Sequence, residues 1–362
     1  MSDQEVIMVR RKISRRTPGY LKISLWIVFV AIVISLVVLV KFYRAVFSPS
    51  VSLDETGITY FYIPQESDYE YVLNSLLEQG LIESKSNFEW VAKKKNYKNN
   101  INPGRYLIRE GMSNNELGNL LRSGKQEPLM FSFNNLRTLD ELADVAGKVL
   151  EAGPDKFREY FNDPETPGKY GFTRESFPAM FIPNSYEVYW TTGPEKLTER
   201  MKREYVAFWS DSRIKKAEKI GLSPVEVIIL ASIVDQETLY DDENARIAGV
   251  LINRLQKGIP LQSDPTIIFA KKIFNVRRVI NEDRKVDSPY NTYKYPGLPP
   301  GPICIPSIAA IEGCLDYEKH NYYYFCAKPD FSGYHSFART LSQHNENARL
   351  YQQELNRRKI YR

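Results

Sequence analysis

The chain has 362 residues, 26% of them charged and 13% aromatic, which suits two or three domains with a sizeable core and speaks against disorder beyond the first twenty or so residues. Its formal charge of +5 sits at one end: residues 1–50 carry eight basic and two acidic groups, the rest 41 and 42. The globular part therefore lacks the basic surface of a nucleic-acid tracker, and none is expected as a partner.

In chain order, residues 1–22 form a basic tail containing Arg10-Arg11-Lys12 and Arg15-Arg16. Ile23 to Val40 then runs without a charge; as a helix it reaches roughly 27 Å, about the thickness of a bilayer core. Arginine and lysine stay on the cytoplasmic side, so the tail is expected inside and the rest of the chain outside the membrane. Lys41-Phe42-Tyr43-Arg44 follows in place of a small-x-small cleavage site, which favours an uncleaved anchor over a signal peptide. A linker is expected over 41–56.

A small module is expected over 57–125. Ile58 to Ile63 is a β-branched and aromatic strand, followed by helices over Tyr69–Gln79 and Asn87–Lys95, a strand at Arg105–Ile108 and a helix opened by the capping-box pattern Ser113-Asn114-Asn115-Glu116. Gly124 stops it. The remainder, 126–362, reads as a larger mixed domain, making the fold class α+β. Helices are expected over Leu139–Glu151, Phe157–Phe161, Pro194–Ser210, Asp242–Lys257 and Ser342–Arg358. The clearest starts at Ser223, an N-cap serine followed by proline at the first helical position and a capping-box glutamate, Glu226. Its body, Val227 to Val234, is apolar almost all round and so should be buried.

That helix ends in charge, at Asp235-Gln236-Glu237-Thr238. At about 100° per residue Glu237 shares a face with Leu230, Ile233 and Val234, and Asp235 points about 200° away. A carboxyl group on an apolar face near the negative end of a helix dipole has a raised pKa, and a carboxyl still protonated at neutral pH is what a glycosidic oxygen needs to depart. The plainer alternative is a glutamate emerging at a helix end, or paired with Arg246 or Arg254. Two further stretches, Leu261 to Thr266 and Tyr290 to Tyr293 with the Pro/Gly run to Pro302, supply amides, hydroxyls and aromatic faces suited to sugars, or else are ordinary loops. The three histidines lack the close helical pairing of common zinc sites, so no metal is expected, and no cofactor site is found. Cys304, Cys314 and Cys326 are odd in number and contain no CxxC, so no disulfide framework is indicated.

Taken in order, ASIVDQET, IAGVLINRLQKGIPLQSDPT, YNTYKYPGLPPGPICIPS and SFARTLSQHN, with FIPNSYEVY upstream, resemble the MltG (YceG-like) family of endolytic murein transglycosylases. The resemblance implies that 57–125 is a LysM-like module and that Glu237, directly before Thr238, is the catalytic acid/base. It further implies cleavage of the β-1,4 bond between MurNAc and GlcNAc without water, leaving 1,6-anhydro-MurNAc ends, and a role in ending nascent strands beside penicillin-binding proteins. Gln262, Asp264, Thr266, Asn291 and Tyr293 are then the expected glycan-groove residues, with holding a loop as the alternative role for Asp264. Asn184 stands where the family usually has Asp. A hydrolytic muramidase remains a rival if Asp235, Asp264 or Glu187 comes close to Glu237; a non-catalytic cell-wall scaffold is the other.

Overall fold

The computed structural model describes residues 19–53, 56–276 and 279–358. Most of the basic tail, including Arg10 to Arg16, lies outside them. The chain divides into two compact units between Glu127 and Pro128.

The first unit opens with α1 (Gly19–Phe47), one helix long and apolar enough to cross a membrane. It overruns the run Ile23–Val40 by a turn or more at each end, and the expected linker is not a free tether. Val46 is buried, the Asn114 side chain donates to the Ala45 carbonyl at 2.9 Å, and the Phe42 and Trp90 rings meet edge to face. Beyond the helix, the Ser50 and Val51 amides both donate to the Met112 carbonyl, burying Val51. A Pro after the last turn stops the helix, and the next residues gain more by pairing than by remaining solvated.

The small module follows in the expected order: β1 (Ile58–Ile63), α2 (Tyr69–Glu78), α3 (Lys85–Lys94), β2 (Gly104–Arg109) and α4 (Asn114–Ser123). β1 and β2 pair antiparallel, Ile58 opposite Arg109 and Ile63 opposite Gly104. Alternation along β1 turns Phe61 and Ile63 inward, where they meet Leu73, Leu76, Phe88, Tyr106 and Leu117. Side chains of Asp68, Ser84 and Ser113 cap the three helices, Ser113 in a full capping box with Glu116.

The second unit is a helical body with two two-stranded ribbons. β3 (Leu129–Ser132) is followed by α5 (Leu139–Val149), α6 (Gly153–Asn162) and the short α7 (Thr166–Lys169); β4 (Ser185–Val188) returns to pair with β3. α8 (Pro194–Phe208) and α9 (Asp211–Ile220) lead to α10 (Pro224–Glu237), then α11 (Asp241–Gln256), α12 (Asp264–Lys271) and α13 (Ile308–Leu315). The hairpin β5 (Tyr324–Ala327) and β6 (His335–Ala338) and the final α14 (Leu341–Arg357) complete it. α7, α9, α12, α13, the strands β3 to β6 and all the strand pairings were outside the sequence-based expectation.

α10 is the axis of this unit. Val227 to Val234 are all buried, and α11 and α13 pack beside them. Fully burying each such aliphatic side chain is worth ~1.5–3 kcal/mol, which is why this helix tolerates no polar face along its middle. The one hydroxyl there, Ser232, donates to the Ile229 carbonyl and accepts from the Ile303 amide. α11 lies so close to the segment after α13 that a Cβ on Gly249 would stand 2.4 Å from the Glu318 carbonyl oxygen.

Candidate active site

The buried run of α10 delivers Glu237, its last residue, to a cavity of about 490 Å³, within the range of small-ligand sites. The two carboxylates at this helix end part company as the helical period requires. Asp235 accepts from the Ser307 hydroxyl and amide at the start of α13, while Glu237 accepts from the Ser263 hydroxyl at 2.5 Å. Asp235 therefore ties two helices together, and Glu237 faces the cavity.

Glu237 is half-buried and pairs with neither arginine that its helix end suggested. Arg246 engages Glu318 at 2.8 Å, and Arg254 donates to Pro260 O, Tyr323 O and Gln262 Oε1. Burial pushes the Glu237 carboxyl up to about 7; the Ser263 hydrogen bond opposes this and the neighbouring charge of Asp264 adds to it. Such a group is both a proton donor and, once ionised, an acceptor near neutral pH.

Of the expected groove residues, three reach the cavity: Gln262, Asp264 and Tyr293. Asp264 opens α12, where it accepts from Arg284 at 3.1–3.2 Å and from the Tyr293 hydroxyl at 2.6 Å. Gln262 holds a left-handed backbone (φ 55°), secured by its amide donating to Thr292 O and its side chain accepting from Arg254 at 2.6 Å.

Thr266 and Asn291 do not line the cavity, contrary to expectation, and both are fully buried. The Thr266 hydroxyl donates to Ser263 O at 2.7 Å and sits 2.9 Å from the Thr292 hydroxyl, fixing the serine that touches Glu237. Asn291 donates to Arg284 O and Val286 O and accepts from the Tyr293 amide. Both side chains satisfy backbone groups of the cavity wall, which keeps them from facing a ligand.

Ser263, Arg254, Arg284, Tyr324 and His344 also belong to this region and were not singled out from the sequence as site residues. Ser263, Arg254 and His344 lie within quoted motifs, but only the fold shows which residues of those motifs turn inward. Of the carboxylates considered as second catalytic groups, Asp264 alone shares the cavity; Asp235 is held by Ser307, and Glu187 lies in β4 beside a different depression lined by Arg200 and Tyr189. All three cysteines are free; Cys304 and Cys314 are buried, and Cys326 is half-buried at the cavity wall. Among the described residues no cluster of His, Cys, Asp and Glu is arranged to hold a metal.

The YceG-like family pattern matches residues 61–350. An endolytic murein transglycosylase of Streptococcus pneumoniae is 28% identical over 299 residues, covering 73% of this chain and 53% of that protein. One from Bacillus subtilis is 39% identical over 129 residues, 36% of this chain and 35% of that protein. The chain thus spans about half the length, or less, of the curated relatives it matches. The crystal structure of a YceG-like protein from Listeria monocytogenes superposes with a TM-score of 0.54 at 26% identity, covering 81% of this chain and 99% of that one.

Proposed function

Because this chain belongs to the YceG-like family, we propose that it is an endolytic murein transglycosylase, cutting the MurNAc–GlcNAc bond of peptidoglycan with Glu237 as the sole acid/base. The observation that carries this is a cavity carboxyl held at about 7 while the other carboxylate lining that cavity, Asp264, is committed to Arg284 and Tyr293. Protonated Glu237 gives its proton to the GlcNAc O4 as the bond to MurNAc C1 breaks. The resulting carboxylate takes the proton of the MurNAc C6 hydroxyl as O6 bonds to C1. The bond count balances without water, and the product ends in 1,6-anhydro-MurNAc.

Helix α1 anchors the enzyme, with the basic tail inside and the cavity on the outer side of the membrane, near strands still being made. The 57–125 module is LysM-like and helps present the strand, and work beside penicillin-binding proteins follows from that location.

The test is mass spectrometry of purified glycan strands incubated with the full chain in detergent, as wild type and Glu237→Gln. Anhydro ends, one water lighter than reducing ends, should form with wild type and fall by about 10²–10⁴-fold in the variant. Reducing ends in their place would identify a muramidase using Asp264 as its second carboxylate. Intact strands from a folded wild-type protein would identify a scaffold.

A further inference from the structure

Arg254 stands out as a cation without a counter-ion. It projects from α11 into the cavity wall and is only 7% exposed. Arginine keeps its charge when buried, yet among the described residues no carboxylate lies within the 4.0 Å of an ion pair. Nε donates to Pro260 O at 2.9 Å, Nη1 to Tyr323 O at 3.1 Å and Nη2 to Gln262 Oε1 at 2.6 Å. One N–H on each Nη is left without a protein acceptor among the described residues.

Two features surround it. The guanidinium lies 5.5 Å from the centroid of the Tyr324 ring, and His344 stacks on the same ring at 5.4 Å. His344 Nδ1 is buried with no hydrogen-bond partner. The cavity's other guanidinium, Arg284, is already matched by Asp264. One side of the cavity is therefore electrically balanced, while the other holds a buried positive charge with donors to spare. Burying a charge without a partner is costly, and a ligand that brings the missing anion recovers that cost as affinity.

We infer that Arg254, with Tyr324 and His344 beside it, forms a subsite for a carboxylate carried on the lactyl arm of the muramic residue. This rests on the glycan-cutting reading above. The sugar rings of such a strand are uncharged, so its anions lie on that arm: the lactyl carboxylate itself where the stem peptide has been removed, or a stem-peptide carboxylate where it remains. A guanidinium with paired N–H groups suits either. Arg254 then selects and registers the muramic unit next to Glu237 and takes no part in the proton transfers.

The experiment uses the full chain in detergent with four substrates: peptide-bearing strands and amidase-stripped strands, each untreated or with carboxyls converted to methylamides. Relative kcat/KM is read from anhydro ends, and affinity is measured separately by calorimetry. For wild type the untreated member of one pair should be preferred by about tenfold or more; the stripped pair showing it identifies the lactyl carboxylate, the peptide-bearing pair a stem carboxylate. Arg254→Gln should bring the ratio to near one and Arg254→Lys should retain part of it. A merely structural arginine lowers all four rates together and leaves the ratio unchanged, which overturns the proposal. Equal wild-type treatment of both pairs also overturns it, without any variant, and leaves the cutting activity standing. No cleavage with carboxylate-selective binding would sink the cutting reading while supporting the subsite; no cleavage with unselective binding would sink both.

Discussion

At Glu237, burial favours the neutral acid and the Ser263 hydroxyl favours the anion, with burial the larger influence and Asp264 acting on the same side as burial. Glu237 must begin the proposed reaction protonated, so kcat/KM should fall as pH rises through about 7. The neighbours act in opposite senses, which gives the idea a sharp check. Asp264→Asn removes a negative charge, makes ionisation easier and should move this limb to lower pH. Ser263→Ala removes a hydrogen bond to the anion and should move it higher. Both variants need only enough residual activity for a pH–rate profile; shifts in the same direction, or none, would show that the limb belongs to another group. The raised carboxyl was foreseeable from sequence, since Leu230, Ile233 and Val234 share its helical face. The opposing serine was not, because Ser263 is 26 residues away in sequence and meets Glu237 only through the turn fixed by Thr266 and Thr292.

Elements were legible where local signals and burial agreed. Ser223-Pro224-Val225-Glu226 announces α10, and the structure has the capping box in full. α12 carries the same kind of start, Ser263 followed by Asp264 and Pro265, but spans only eight residues and looks like a polar loop flanked by apolar segments. β3 and β4 escape detection because four-residue strands lack a readable alternation and their partners lie more than fifty residues apart. The β5–β6 hairpin is also weakly patterned, most of its residues being half-buried, and much of its hold on the body comes from one polar cluster. Buried Glu243, in the first turn of α11, accepts from the His335 amide at 2.9 Å and lies 2.6 Å from His335 Nδ1, with the Thr238 hydroxyl at 3.2 Å. Glu243→Ala leaves these groups buried without an acceptor and should destabilise the protein by ~2–4 kcal/mol. Hydrogen exchange should report the loss locally, with faster exchange at β5 and β6 and none at β1 and β2. Unchanged protection of the hairpin would mean that its packing on α14 suffices.

Across the whole molecule, the concentration of basic residues before an apolar run was enough to mark α1, and the chain divides into two units between Glu127 and Pro128. The autonomy of the two units shows only in the packing. Among the described residues β1 pairs with β2 within the first unit, and β3 with β4 and β5 with β6 within the second. Each unit also closes its own apolar cluster, around Phe61, Leu73 and Tyr106 in one and around Phe131, Phe177 and the α10 aliphatics in the other. A unit of the second one's size buries enough surface to stand alone, and Glu237 with every cavity residue lies inside it. The chain beginning at Pro128 should therefore unfold in one cooperative transition and still convert purified strands to anhydro ends, within about threefold of the full chain, an effect under 1 kcal/mol. On the proposed anchoring by α1, what it should lose is placement, and in cells strand cutting should no longer be confined near the membrane. A broad, non-cooperative melt would show that the first unit completes the fold of the second. A cooperative melt with no product would instead assign the module an obligatory part in presenting the strand.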